Sequence, residues 1–335
     1  MNPKLIINLF KLRTNLDRLV GRCHAVGIKT AIVTKVFCAD ERICRMISES
    51  EADAFADSRV QNLAAIAELH SDKPTQLLRI SMQSVVEDVV RYADISMQSE
   101  KETIRLIGGA AKKLGKVHKI ILMVDMGDLR EGIFNTDEAQ IFSAAEAILA
   151  EPALEFHGIG VNLTCYGGII PDETNLGGLL AIADKLRKRY SVPLPIVSGG
   201  NSSMLTMLEE NRIPEGITQL RLGESFVLGN NTESGKPVEW LNTDCFTLEA
   251  ELVEVQRKPS KPIGTSGLNA FGERVTFEDR GEMIRGILAI GRQDVNPDGL
   301  TPLDPDVEII GASSDHLIVN LTNCKKYKVG DTLRF

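Results

Sequence analysis

Thr30-Ala31-Ile32-Val33-Thr34-Lys35 is a short β-branched and apolar run that ends in a lysine. A run of this kind reads as a buried strand. The next residues, Val36-Phe37-Cys38, are not the glycine-rich turn expected after the first strand of an open, doubly wound sheet. Outward from this stretch the same texture recurs at 52–56, 76–80, 94–97, 119–124, 156–161, 195–197 and 219–220. Most of these runs are followed by segments with helical spacing, such as 100–114, 137–149 and 176–189. About eight strand–helix units over roughly 200 residues predict an α/β fold of the closed (β/α)8, TIM-type barrel class. Its expected extent is 9–235.

Near residue 240 the texture changes. Runs at 246–256, 284–290, 307–310 and 316–321 read as strands separated by turn-rich stretches such as Asn296-Pro297-Asp298-Gly299. No long helical pattern remains there. A second, mostly β domain is expected over 240–335, and the strand-like segment 4–8 is a candidate to pair with it.

The composition excludes several classes. The chain has 335 residues, 43% hydrophobic and 25% charged, which suits a large globular domain plus a smaller one. It contains no apolar run long enough to span a membrane, and its first residues lack the apolar core and cleavage site of a signal peptide. A net charge of −8 without a basic block argues against nucleic acid as a partner. The six cysteines are scattered, without CxxC, and are expected to be reduced thiols in a cytoplasmic protein. No metal-ligand spacing links Cys165, His157 and His316, so no metal is expected.

Polar residues stand at the ends of the expected barrel strands, which is the end where barrel active sites lie. In chain order these are Lys35, Asp57-Ser58-Arg59, Arg79 and Ser81, Gln98-Ser99, Asp125 and Arg130, Asn162, Ser198 with Gly199-Gly200-Asn201-Ser202, and Arg221. The glycine-rich segment and the Arg221 loop come after the last two strands, where barrels often hold a phosphate. Taken alone, the glycine-rich segment is a turn with a helix cap. Lys35 at an inward strand end is either one half of a salt bridge or an amine of lowered pKa, suited to a Schiff base with an aldehyde cofactor.

These residues carry a family resemblance. Val33-Thr34-Lys35, Val124-Asp125-Met126-Gly127-Asp128-Leu129-Arg130, Asn201-Ser202 and Arg221-Leu222-Gly223 resemble barrel segments of alanine racemase and its fold-type III relatives. Ile290-Gly291-Arg292-Gln293-Asp294 and Ser313-Ser314-Asp315-His316 resemble the two β-domain segments that reach a partner subunit's site in that family. The longer strings TKVFCAD, ADSR, NLTCYGG, SGGNSS, LRLGE and GASSDH are similar to the ornithine racemase branch. The resemblance covers nearly the whole chain, although related chains continue beyond a segment like 331–335.

The resemblance implies pyridoxal 5'-phosphate (PLP) carried by Lys35, with Arg130, Asn162, Asn201, Ser202, Arg221 and Gly223 completing the cofactor-binding set. It implies an amino acid racemase, acting on a basic substrate such as ornithine or lysine, and a homodimer. Racemisation needs an acid/base group on each face of a planar intermediate. Lys35 is the candidate for one face. Tyr166, Cys165, Asp294, Asp315 and His316 are open for the other. Arg292 is a poor base, with a pKa above ~12. Two other classes stay in view: a non-catalytic PLP-binding protein of cofactor homeostasis, which would lack the β domain, and a fold-type III lyase or decarboxylase, which would release an aldehyde or CO2. A distal substrate ammonium would need a carboxylate, and Asp128, Glu131, Asp294 and Asp315 are available.

Overall fold

The computed structural model describes residues 2–324 and 326–335. The chain divides into two units, one of Leu9–Cys245 and one made of the segment ending at Asn8 together with Phe246–Phe335. β1 (Lys4–Ile7) belongs to the second of these. In the larger unit, α1 (Leu9–Ala25) precedes β2 (Lys29–Val33), and helix and strand then alternate. They are α2 (Glu41–Ser48), β3 (Ala54–Asp57), α3 (Val60–Ala67), β4 (Thr75–Leu77), α4 (Val86–Tyr92), β5 (Ile95–Gln98) and α5 (Lys101–Lys113). Next come β6 (His118–Asp125), the short β7 (Ile133–Phe134), α6 (Glu138–Leu149), β8 (Leu154–Gly160) and α7 (Glu173–Tyr190). The unit ends with β9 (Ile196–Ser198), α8 (Leu205–Glu209), β10 (Gln219–Leu222) and α9 (Glu224–Leu228).

The strands pair in parallel in the order β2-β3-β4-β5-β6-β8-β9-β10, and β10 returns to β2 with Arg221 opposite Ala31. This closes the expected (β/α)8 barrel; β7 pairs with β6 outside the ring. Alternate residues of a strand share a face. Ala31 and Val33 therefore cluster with Ala54 and Ala56, and Ile95 and Met97 cluster with Ile121, Met123 and Ile196, filling the lower barrel with apolar side chains. Gly158 of β8 has a specific reason to be glycine: a Cβ there would lie 2.1 Å from the Ile196 carbonyl oxygen. α1 buries Leu12, Asn15, Leu16, Leu19 and Cys23, the three-and-four spacing of one helical face.

The residues after α9 stay with the barrel as far as Cys245. Asn15, wholly buried, explains how: its amide nitrogen donates to Asn242 O (2.9 Å), its amide oxygen accepts from Asn242 N (2.7 Å), and Arg22 stacks on Trp240 at 4.2 Å. In sequence this stretch resembles a polar linker because its anchors sit more than 200 residues away.

In the second unit, β11 (Phe246–Pro259), β12 (Glu282–Leu288), β13 (Glu308–Ala312), β14 (Leu317–Asn320) and β15 (Thr332–Arg334) form an antiparallel sheet with β1. β1 and β15 both pair with β11, and the buried carboxylate of Glu249 ties them down through Lys4 and Arg334, each at 2.7 Å. Leu252, Leu288, Leu317 and Val319 form its core. Among the described residues no helix is long and apolar enough to cross a membrane.

His118, at the start of β6, is 1% exposed and bonds Ser96 Oγ at 2.8 Å. Burial lowers its pKa from the ordinary 6.5 to about 4. The unfolded chain therefore takes up a proton that the folded chain refuses, so stability falls as pH drops from about 6.5 to about 4. The loss is on the order of 3 kcal/mol at most. In His118→Gln, urea unfolding across that pH range should show a shallower decline than in the natural chain. Parallel declines would show that His118 does not titrate in this way.

Candidate active site at the mouth of the barrel

β2 hands the chain to the site through Thr34. Thr34 N donates to Ala56 O at 2.9 Å, and its hydroxyl donates to Asp57. A single 3-10 turn, Lys35–Phe37, comes next, and Cys38 and Ala39 take positive φ of 50° and 53°. This turn leaves Lys35 exposed on the wall of a cavity of about 670 Å3. Of the two alternatives open for this lysine, the salt bridge is not formed among the described residues. Lys35 Nζ makes no hydrogen bond or ion pair with the described residues, so it is a free amine facing the cavity.

The cavity wall also contains Arg130, Asn162, Asn201, Ser202, Arg221 and Gly223, each of them expected there from the sequence. Other polar strand ends do different work. Asp57 accepts from Asn62 (3.0 Å) and Arg59 N (2.8 Å), Gln98 bonds Ser81 (2.6 Å), and Asp125 accepts from Gly127 N (2.8 Å) and Leu129 N (3.2 Å). These groups set the turns; they do not line the cavity. The lining holds four basic side chains (Lys35, Arg79, Arg130, Arg221) against two carboxylates (Glu131, Glu224), a balance that suits an anionic ligand.

Arg221 is 3% exposed, and its guanidinium is solvated by protein groups. It donates to Ser198 Oγ, to Val161 O (2.7 Å) and to Asn162 Oδ1 (2.6 Å). Burial pulls its pKa down to about 10, while the charge of Glu131 pulls the other way. It is a cation at neutral pH.

The segment after β9 brings loop amides and hydroxyls to the cavity wall. Gly200 has φ 140°, a conformation that favours glycine. Asn201 Oδ1 accepts from Ser203 N at 2.9 Å and its Nδ2 donates to Leu163 O at 2.9 Å. Ser202 Oγ, buried, receives the amides of Gly223 and Ser225, both at 3.2 Å. Thr232 adds a buried hydroxyl oxygen with no partner among the described residues. The helix expected after this segment is a 3-10 turn, Ser202–Met204, followed by only five residues of α8. What stands at this point of the cavity wall is therefore a set of loop amides and hydroxyls rather than the end of a long helix.

Asp128 is 1% exposed and belongs to the loop structure. Its carboxylate accepts the amides of Tyr166 (2.9 Å), Ile169 (3.2 Å) and Cys165 (3.3 Å), and its carbonyl accepts Gly167 N (3.0 Å). Burial alone would raise its pKa, but these amides hold it below the usual carboxylate range. The loop so pinned puts Cys165 on the cavity wall, 2.7 Å from Arg130 Nη1, and turns Tyr166 out. Tyr166 is 78% exposed and does not line this cavity, whereas its neighbour Cys165 does. Asp294 and Asp315 lie in the β unit. Asp294 accepts from Gly291 N at 3.1 Å, and Asp315 bonds the hydroxyls of Ser313 and Ser314, each at 3.2 Å. Glu131 is the functional-site residue that sequence reasoning undervalued. It bonds both Arg130 and Asn162, and only the neighbouring Arg130 is visible as a partner in the sequence.

Residues 7–230 match the family model described as alanine racemase, N-terminal domain. The chain is 48% identical to the ornithine racemase of Acetoanaerobium sticklandii, over all of this chain and 94% of that protein. It is 38% identical to the lysine racemase of Thermotoga maritima, over 99% of this chain and 92% of that one. The fold is similar to the solved alanine racemase of Bartonella henselae with covalently bound pyridoxal phosphate. The TM-score is 0.73 at 17% identity, with 100% of this chain and 90% of that chain covered.

Replacing Asp128 by alanine strands three loop amides in a buried setting. The expected loss is about 3 kcal/mol, read from the urea midpoint, with faster proteolytic cleavage in the 164–170 loop. A loss near zero would mean that water replaces the carboxylate without cost.

Proposed function

Because the chain belongs to the alanine racemase N-terminal domain family, we propose that it is a PLP-dependent racemase of a basic amino acid such as ornithine or lysine. The observation that carries this reading is a lysine amine without a protein partner among the described residues, facing one cavity together with Asn201, Ser202 and a buried arginine. Full-length similarity to an ornithine racemase and a lysine racemase supports the substrate class.

The residues fit the cofactor. Lys35 would hold its aldehyde carbon. Ser202, Asn201, the Gly223 amide and the orphaned Thr232 hydroxyl would hold its phosphate, and Arg221, Asn162 and Arg130 its ring substituents. When bound, PLP supplies an electron sink that acidifies the substrate Cα–H. Arg221, a buried cation, would disfavour protonation of the cofactor's ring nitrogen if it faced it, and so would favour simple proton removal and return over transamination. Lys35 moves the proton on one face. A general base within reach of Cα on the other face completes the exchange. Cys165 is the candidate within the barrel, and the Asp294 and Asp315 segments are the candidates supplied by a second copy. Asp128 is sealed under loop amides and Glu131 is held by Arg130 and Asn162, so Glu224 in the barrel and the more exposed Asp294 and Asp315 of the β unit are the carboxylates open to a distal ammonium.

The proposed assembly is a homodimer. The loops at the mouth expose Val36, Met82, Leu129, Tyr166 and Ile170, an apolar rim around a polar cavity. Apolar rims of this kind mark association surfaces, and a two-fold pair is the commonest way to cover one. Covering the rim also keeps water from the reacting carbon. The six free cysteines suit a reducing compartment, and the proposed location is the cytoplasm.

Borohydride reduction of the purified protein with PLP should fix the label on the peptide containing Lys35. Label on another lysine, or no uptake of PLP, would overturn the reading. In the same protein Ser202→Ala should weaken PLP affinity by about tenfold, the loss of one charge-assisted hydrogen bond, while leaving the reaction type unchanged. Unchanged affinity would remove Ser202 from the site.

A further inference from the structure

Two guanidiniums face one cavity, and they repel each other. Arg130 is part-exposed; Arg221 is sealed in the barrel. The carboxylate of Glu131 stands between them. Both of its oxygens are taken by Arg130, from Nε and Nη2, and Oε1 also receives Asn162 Nδ2. On its other side Asn162 accepts from Arg221 Nη2 at 2.6 Å. The amide of Asn162 can be oriented in one way only. Its oxygen must face the guanidinium, which has nothing but donors, so its NH2 must face an acceptor. Glu131 is that acceptor.

We infer that Glu131 is a positioning residue that holds Arg130 directly and Arg221 through Asn162, so that the two arginines of the cavity act as a linked pair. A carboxylate is required for this. A glutamine can accept from Asn162 with its oxygen, but its NH2 then meets Arg130, donor against donor. A shorter aspartate keeps the charge and loses part of the reach. The charge of Glu131 also offsets the mutual repulsion of the two cations, and burial makes that offset larger than it would be in water.

The inference rests on the reading of this cavity as a PLP site, and the test separates the two. It is a double-mutant cycle of Glu131→Gln and Asn162→Ala, with Glu131→Asp as the conservative control. Two quantities are read on the PLP-loaded chain, the dissociation constant of PLP and the visible circular dichroism of the bound cofactor. The melting temperature is read on the cofactor-free chain. Each single variant should weaken PLP binding by about tenfold. The losses of the two single variants should combine to clearly less than their product, because both changes cut the one path that joins Arg130 to Arg221. The dichroism band should change in Glu131→Gln and persist in Glu131→Asp. Multiplied losses, or a Glu131→Gln protein with the natural affinity and band, would overturn the linkage. A drop in melting temperature with an unchanged band would reduce Glu131 to a structural role. Should the natural chain take up no PLP, the proposed function fails, and the linkage is decided by melting alone. The double variant is then expected within about 1 °C of the lower single, and fully additive losses would overturn it.

Discussion

A guanidinium sealed inside a barrel has to be solvated by the protein around it. Arg221 meets that demand with a serine hydroxyl on β9 and a main-chain carbonyl and an asparagine amide just beyond β8. An isolated charge in such a place would be prohibitively costly, and an unsatisfied N–H nearly as bad. The register of β10 against β2 and β9 is thereby coupled to chemistry: a slip of one residue would point Arg221 at the helices and an apolar neighbour at the cavity. Asn162, Glu131 and Arg130 extend the same constraint outward to the cavity wall.

Below that polar layer the barrel is a plug of alanine, valine, isoleucine and methionine. The apolar lower part drives closure of the ring, while the upper ends of the strands are free to carry polar groups. Two buried carboxylates then shape the mouth. Asp57 braces the ends of β2 and β3, and Asp128 gathers the amides of the 165–169 loop. Neither lines the cavity, and both decide what does. Lys35 faces the cavity because the turn after Thr34 leaves the strand axis, and Cys165 faces it because Asp128 pins the loop behind it.

Much of this is legible in the sequence because strand runs in a parallel barrel are short, apolar and regularly interrupted. The eight barrel strands and the position of Lys35 after the first of them come from that pattern. Strings such as Asn201-Ser202 and Arg221-Leu222-Gly223 add these cavity-wall residues through family resemblance. The features that escape a reading of the sequence depend on partners distant in the chain. β15 is three residues long and has no pattern of its own; it exists because β11 offers an edge and Glu249 an ion pair. The segment 236–245 has no strong pattern either, and it is anchored by Asn15 and Arg22. Tyr166 and Cys165 are adjacent in sequence and opposite in exposure to the cavity, a distinction that only the Asp128 loop makes. The exposure of Lys35 is likewise hidden in the sequence, since the residue leaves the strand at a turn.

The measurement that bears most directly on a racemase is proton exchange at the substrate Cα. L-ornithine is incubated with the PLP-loaded protein in D2O, and optical activity, mass and gas release are followed together. Proton removal by one group and return by another predicts that optical activity decays to zero. It also predicts that product of both hands carries deuterium at Cα, with no CO2 or aldehyde formed. Loss of optical activity through CO2 or aldehyde release, or an unchanged substrate without deuterium at Cα while PLP remains bound to Lys35, would contradict it.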